Sequence, residues 1–281
     1  MTELQKIELD MLKEFIRICD ELNLTYYLVC GSALGAAKYQ GFIPWDDDLD
    51  VALPREDYDV FCEKAQSMLP EHLFLQNHLT DKQYPLIFSK IRNNNTAFVE
   101  KSLAKLNINH GIYIDVFPLD GYPNEVDLQE RLEKEKRRYN IIRLCCLNVP
   151  LSKKAKAFVL AERLMGVHKK PAKFVNRVER HIKQYSTKAS EVWCNHGNWQ
   201  GKLEYAPKEQ YGEGNIAVFE GVSVRIPEMI DEYLTQKYGD WRADLPESEK
   251  QGHHYHYICD TEHSYKEYVL KSSKYRIEFS K

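Results

Sequence analysis

Leu4, Ile7, Met11, Phe15, Ile18 and Leu22 recur every three or four positions. That period predicts a helix with one apolar face, and Asn23 predicts its stop. The apolar run "TYYLVC" (25–30) reads as a short strand, and the alanine-rich "GSALGAAKYQ" (31–40) as a helix whose N-terminus sits at Gly31-Ser32. A loop from Gly41 to Trp45 leads into a predicted strand through Asp48 to Leu53. Pro54 then opens a helix, a favoured place for proline, that runs to about Met68 and is closed off by Pro70. "LFLQNH" (73–78), "YPLIFSKIRN" (84–93) and "TAFVE" (96–100) are β-like, with Asn93-Asn94-Asn95 as a turn. "GIYIDVFPLDGY" (111–122) reads as a strong strand ended by Pro118.

The second half changes character. Helices are predicted over 125–148 and 153–186, the latter interrupted near Gly166 and Pro171. Phe174, Val178, Ile182 and Tyr185 form one apolar stripe there, a packing face. "IAVFEGVSVRIP" (216–227) reads as two short strands around Glu220-Gly221, and "EMIDEYLTQKYGDW" as a helix ending at Gly239. No internal repeat or low-complexity linker interrupts the chain. The predicted class is α/β of the α+β kind. A mixed-sheet core over 1–123 is followed by a mainly helical part over 124–281 with a short β-hairpin, packed on the core as one continuous unit.

Composition narrows the partners. With 281 residues, 43% of them hydrophobic, the chain can build one large core. The most apolar stretch, "IIRLCCLNVPL", is too short to span a bilayer and carries Arg143. The start "MTELQKIELD" has no apolar signal region, and the seven cysteines include no CxxC pair. Both predict a cytoplasmic protein with reduced thiols, Cys145-Cys146 among its core. The net charge of −3 is unevenly spread. Residues 153–188 carry 11 Lys or Arg against two Glu, whereas the remainder has 28 basic against 40 acidic residues. Such a basic segment suits an anionic partner, whether phosphate-rich substrate, lipid surface or nucleic acid; it equally suits a solvated helix face.

The chemistry concentrates at "IPWDDDLDVAL" (43–53), with Asp46, Asp47, Asp48 and Asp50 crowded between apolar neighbours. Strand alternation puts Asp48 and Asp50 on one side. Two carboxylates on one face ionise together only with positive charge between them, and a divalent cation is the usual answer. Asp115, a lone charge in the apolar "YIDVF", offers a third carboxylate. If the two strands are neighbours, the three converge as in a metal-assisted in-line displacement. Gly31-Ser32, at a strand-to-helix turn, lets backbone N–H groups approach a phosphate. Asp46 and Asp47 can also serve as turn caps, and for Asp47 that structural role is the expectation. Asp120, before Gly121, reads as a turn residue.

This order resembles the nucleotidyltransferase fold, and more narrowly the LicD family of phosphotransferases, which includes the fukutin-type proteins. The resemblance rests on 28–61, on "SKIRNNNTAF" (89–98) and on "GIYIDVFPLDGYP" (111–123), with weaker support from "VSVRIPEMIDEYLTQKYGDW". It implies transfer of a phosphorylated group from a nucleotide diphosphate donor to a sugar. Phosphocholine from CDP-choline is the best-known case, and ribitol phosphate is moved in the fukutin branch. It implies Asp48 and Asp50 as the pair holding Mg2+ or Mn2+, Asp115 as third acidic position and base or ligand, and Asp46 as a further ligand. The acceptor implied is a cell-surface glycan, such as lipopolysaccharide or teichoic acid, or its lipid-linked precursor. Contact with the inner face of the membrane would then fall to 153–188, and nucleic acid is not expected. Ser32 stands further from Asp48 than in smaller nucleotidyltransferases.

Lys90 and Arg92, two apart on a predicted strand, share a face and can grip a pyrophosphate, or else guard a solvated strand edge. Lys38 lies near the same loop. Trp45, Trp241 and the tyrosines are candidates for an aromatic cage around choline. "HHYHYIC" (253–259) groups His253, His254, His256 and Cys259, which with "CNHGNW" (194–199) suggests zinc, although no four-ligand set is complete. Three rivals stand beside the phosphotransferase. They are an Asp-x-Asp glycosyltransferase using a nucleotide sugar, a binding module with a decayed site, and a calcium loop built on Asp46, Asp48 and Asp50. The calcium loop lacks its later glycine and glutamate.

Overall fold

Thr2 opens the first helix with a reciprocal cap: its hydroxyl accepts from Gln5 N–H while the Gln5 side chain accepts from Thr2 N–H. The computed structural model describes residues 1–198, 201–252 and 254–268. In it α1 (Glu3–Leu22) ends at Asn23, whose left-handed backbone (φ 52°) stops the helix. Its inner face buries Leu12, Phe15, Ile18 and Cys19 completely. Each such large apolar side chain contributes about 1.5–3 kcal/mol on full burial.

The chain continues through β1 (Tyr27–Leu28), α2 (Cys30–Tyr39), β2 (Asp50–Pro54), α3 (Arg55–Met68), β3 (Leu73–Gln76), β4 (Ser89–Asn93), β5 (Ala97–Glu100) and β6 (Ile112–Tyr122). The main sheet has the order β1-β2-β6-β4-β3, with β2 and β6 parallel and the other pairs antiparallel. Its central strand β6 is buried along ten of its 11 residues.

Two local expectations change here. The strand expected from Asp48 begins only at Asp50, so Asp48 lies in the loop before it. The strand expected to stop at Pro118 runs on to Tyr122. Asp115 N–H donates to Leu49 O on the β2 side, so by alternation the nitrogen of Pro118 faces the β4 side. There β4 has already ended, opposite Val116, and the missing N–H costs no ladder bond.

The second half comprises α4 (Val126–Cys146), α5 (Lys153–Leu164), α6 (Pro171–Ile182), β7 (Val192–Cys194), β8 (Tyr205–Pro207), α7 (Lys208–Tyr211), β9 (Asn215–Phe219), β10 (Val222–Ile226), α8 (Ile230–Tyr238) and β11 (His256–Asp260). Among its links to the first half are two strand pairings, a clasped loop and a tyrosine hydrogen bond. β7 pairs with the end of β6, Asp120 opposite Cys194, and β8 follows β7. The β9–β10 hairpin turns at Glu220 and Gly221, both at positive φ (48° and 77°), and clasps the 40–42 loop. Glu220 N–H donates to Gln40 O, and the Glu220 carboxylate accepts from Phe42 N–H. Tyr233 of α8 accepts from Cys30 N–H at 3.0 Å. Finally β11 pairs antiparallel with β5. The expected hairpin and final helix are present; β7, β8 and β11 were not anticipated. Among the described residues no helix is long and apolar enough to cross a membrane.

Candidate active site

The parallel pairing of β2 with β6 sets Asp50 directly beside Asp115, and the antiparallel pairing of β6 with β4 sets Lys90 beside Asp115. Three adjacent strands thus present an in-register row: carboxylate, carboxylate, ammonium. Residues in register share a face, so all three side chains stand on the same side of the sheet. Lys90 Nζ lies 2.8 Å from Asp115 Oδ1 and 3.3 Å from the centre of the Tyr113 ring. It is buried, as are Asp50 and Asp115.

The 40–49 loop brings the remaining acids. Gln5 anchors it from α1, its amide donating to Asp46 O (3.1 Å) and Ile43 O (3.4 Å). A Cβ at Gly31 would lie 2.8 Å from Asp46 Oδ2. The bare glycine therefore makes room for that carboxylate over the first turn of α2, where helix N–H groups favour an anion. A Cβ at Gly35 would lie 2.4 Å from Gly41 O, so the same helix also needs a glycine where the loop folds back. Gly35→Ala is expected to destabilise the protein by about 1–3 kcal/mol, read by urea denaturation, because backbone and not a pliable side chain must move. An unchanged midpoint would show that the loop is not held there. Cys30, at the start of α2, adopts positive φ (51°), a strained conformation at the rim of the site.

Burial and mutual repulsion dominate the electrostatics. Burial, reinforced by Asp48 and Asp47, pushes Asp46 up to about 8. Burial, then the charges of Asp48 and Asp115, holds Asp50 well above the usual carboxylate range. Asp115 is also raised by burial, against the pull of Lys90. Glu8, beneath the loop on α1, is wholly buried and raised by burial and then by Asp48, Asp46 and Asp47. Carboxylates this crowded ionise cheaply only around added positive charge. A set of hard oxygen donors, Asp46, Asp48, Asp50 and Asp115, suits Mg2+ or Mn2+. His254 supplies part of that charge. Burial opposes it, but Asp48 and the bond to Asp47 push it up to about 10.

All four acids line one cavity of about 510 Å3. Lys90, Glu100, Asn198, His254 and Arg143 add to its polar lining; Leu86, Phe88, Phe117, Leu147 and Val149 are apolar lining residues. The Phe88 and Phe117 rings lie 4.5 Å apart, and a Cβ at Gly197 would meet both.

Several expected site residues are placed elsewhere. Ser32 does not stand open to a phosphate: its hydroxyl oxygen accepts Asp50 N–H at 2.8 Å, so it positions the acidic strand. Arg92 shares a face with Lys90 as expected. It is wholly buried, however, and its guanidinium donates to Gln76, Gly111 O and Glu100 at 2.8–3.0 Å. It holds Glu100 in place instead of reaching the cavity. Glu100, flanked by Lys90 and Arg92, falls to about 2 despite its burial. Lys38 is drawn off by the carbonyls of Arg242 and Ala243. Trp45 and Trp241 are not in the cavity wall; Phe88, Phe117 and Tyr238 are. Asp120 is not a turn residue but a fully buried strand residue gripped by Arg55.

The histidine cluster divides. His253 lies outside the described residues. His256 and Cys259 are exposed, and His256 Nδ1 bonds to His254 O at 2.9 Å. Among the described residues the group whose ligand atoms converge within 4.8 Å of one another is Asp47, Asp48 and His254. Asp47 accepts from His254 N–H at 3.1 Å and bonds its Nδ1 at 3.1 Å. His254 reaches the site because β11 docks on β5, a long-range pairing with no trace in the local pattern.

Residues 23–143 match the LicD family model, described as the LicD/FKTN/FKRP nucleotidyltransferase domain. The matched span contains all four cavity aspartates and Lys90. Over 264 residues the chain is 28% identical to the "Lipopolysaccharide cholinephosphotransferase LicD" of Haemophilus influenzae, covering 90% of this chain and 96% of that one. Residues 23–143 are thus similar to the LicD nucleotidyltransferase domain, and the likeness to the Haemophilus protein runs along nearly the whole chain. A shorter likeness, 36% over 61 residues, links it to an uncharacterized protein of Rickettsia typhi, covering 22% of this chain and 18% of that one. The LicD match by model stops at residue 143, whereas His254 and Tyr238 enter the same cavity from well beyond it.

Proposed function

We propose that this protein transfers phosphocholine from CDP-choline to a sugar hydroxyl of lipopolysaccharide or its lipid-linked precursor. As a phosphotransferase it moves a phosphate-containing group, the activity named for its Haemophilus relative. The observation that carries the reading is the in-register row Asp50–Asp115–Lys90 in the wall of a cavity that Asp46 and Asp48 also line. Asp48 and Asp50, with Asp46 and Asp115 beside them, would hold Mg2+ or Mn2+, which supplies Lewis-acid stabilisation of phosphate charge when bound.

The chain's own residues account for the rest. Lys90 is fixed by Asp115 and Glu100, so its ammonium is aimed without a search through rotamers. It balances negative charge on the transferred phosphate. A sugar oxygen attacks phosphorus, the bond to the cytidylate oxygen breaks, and cytidine monophosphate leaves. The sugar proton passes to the Asp115 carboxylate, whose raised affinity for a proton suits it to that task. The aromatic lining residues Phe88, Phe117 and Tyr238 match the trimethylammonium group, which favours aromatic faces.

The test is a mass-spectrometric screen of CDP-choline, CDP-ethanolamine, CDP-glycerol, CDP-ribitol and a nucleotide sugar with a lipopolysaccharide acceptor. Transfer from CDP-choline is expected, lost in EDTA and restored by Mg2+ or Mn2+. Transfer of sugar from the nucleotide sugar would instead make this a glycosyltransferase. Turnover that survives EDTA would remove the metal from the reading.

A further inference from the structure

Ala157, Leu160, Ala161 and Leu164 stand three, four and seven positions apart, the spacing that gathers side chains on one helix face. In α1 and α6 the apolar face points into the core. In α5 it points away. Leu160 is 62% exposed and Leu164 83%, with Phe158 and Met165 beside them also exposed. The one residue α5 buries is Val159, and the exposed Arg163 donates from its guanidinium to Cys145 O on α4. A helix held to α4 by one buried valine, the Arg163 bond and a bond from the Cys145 thiol to Val159 O, with its leucines in water, lacks a covering surface.

Charge decides what covers it. Lys153, Lys154 and Lys156 edge the leucine face, and Lys169, Lys170 and Lys173 follow in the next turns, all exposed. None of the six makes an ion pair among the described residues; the first ion-paired residue after them is Glu179. A protein partner would need both an apolar groove and a ring of acids. An anionic bilayer provides both at once, acyl chains for the leucines and headgroups for the lysines. The location also fits. Leu147 and Val149 line the cavity, and α5 begins four residues after Val149.

We propose that the outer face of α5, Leu160 and Leu164 with the lysines around them, docks this protein on an anionic phospholipid bilayer and so presents the cavity to a lipid-anchored acceptor. The proposal goes beyond the activity above and does not depend on which group is transferred.

Sedimentation with vesicles of phosphatidylcholine, with or without phosphatidylglycerol, tests it on the whole chain. The protein is expected to pellet with the phosphatidylglycerol vesicles and to be released by salt. Leu160→Glu/Leu164→Glu should weaken partitioning at least about tenfold with an unchanged melting temperature, since both side chains are exposed. Lys153→Glu/Lys154→Glu/Lys156→Glu should weaken it similarly and flatten the salt dependence. Failure of the unmodified chain to pellet, equal pelleting with phosphatidylcholine alone, or variants that pellet as before would overturn it. So would a dimer that Leu160→Glu/Leu164→Glu dissolves in a chain that ignores vesicles, which would assign the face to a second copy.

Discussion

Asp50→Asn is expected to reduce transfer at least about 100-fold while leaving the metal-free protein as stable as before or more so. The two effects have one origin. Asp50 is buried with Asp48 and Asp115 as neighbours, and no cation among the described residues pairs with it directly. Amide for carboxylate keeps shape and removes repulsion, so the fold gains. The site, however, loses the charge that would draw in a divalent ion. Stabilisation by Mg2+, about 2.7 kcal/mol at a hundredfold excess over its dissociation constant, should vanish in the variant. Asp115→Asn gives a contrasting result, losing both activity and stability, because it strips Lys90 of its 2.8 Å partner and leaves only Glu100 at 3.7 Å. Turnover measured by mass spectrometry, set beside melting with and without Mg2+, separates the two. Full activity in Asp50→Asn would remove the acidic row from the mechanism. A large loss of metal-free stability in that variant would make Asp50 structural.

Arg55→Met is expected to cost about 3–5 kcal/mol of stability, the range for breaking a buried ion pair from one side. Arg55 stands at the far end of β2 from Asp50. Its guanidinium grips Asp120 with two bonds, Nε to Oδ1 at 2.6 Å and Nη2 to Oδ2 at 3.0 Å, and reaches Glu179 of α6 at 3.0 Å. Asp120 is fully buried, and His78 stands 3.3 Å from the other Glu179 oxygen. One arginine therefore ties α3, β6 and α6 together, and its loss strands two carboxylates in low dielectric. Urea denaturation should show the loss, and Arg55→Met/Asp120→Leu should recover much of it because the orphaned charge goes too. A single variant within about 1 kcal/mol of the parent would mean that water enters and solvates the acids. In either case the KM of the folded fraction should be unchanged, as the cluster is remote from the cavity.

These two sites were unequally legible. The acid row announced itself because it breaks a local rule: carboxylates inside apolar strands need a reason, and Asp115 in "YIDVF" needs no fold to look odd. Arg55 and Asp120 gave no such signal. Asp120 sits between Pro118-Leu119 and Gly121, and by local chemistry that is a turn. Only the ending of β4 opposite Val116 lets β6 run through Pro118 and carry Asp120 into the interior. Lys38 and Arg92 misled for the complementary reason. A cation near a phosphate motif looks available until its partners are known, and here carbonyls, Gln76 and Glu100 already occupy them.

By itself the sequence determined the long elements, because periodicity over ten or more residues outweighs local accident. It also singled out the carboxylates that sit among apolar neighbours, because charge in an apolar strand is costly wherever the strand lies. Tertiary structure alone decided the register that sets Asp50, Asp115 and Lys90 abreast, and the docking of β11 that brings His254 to Asp47 and Asp48. It alone also turned the leucines of α5 outward. Strand order, and the face a helix turns to the core, depend on contacts between residues far apart in the chain. No window along the sequence contains both partners.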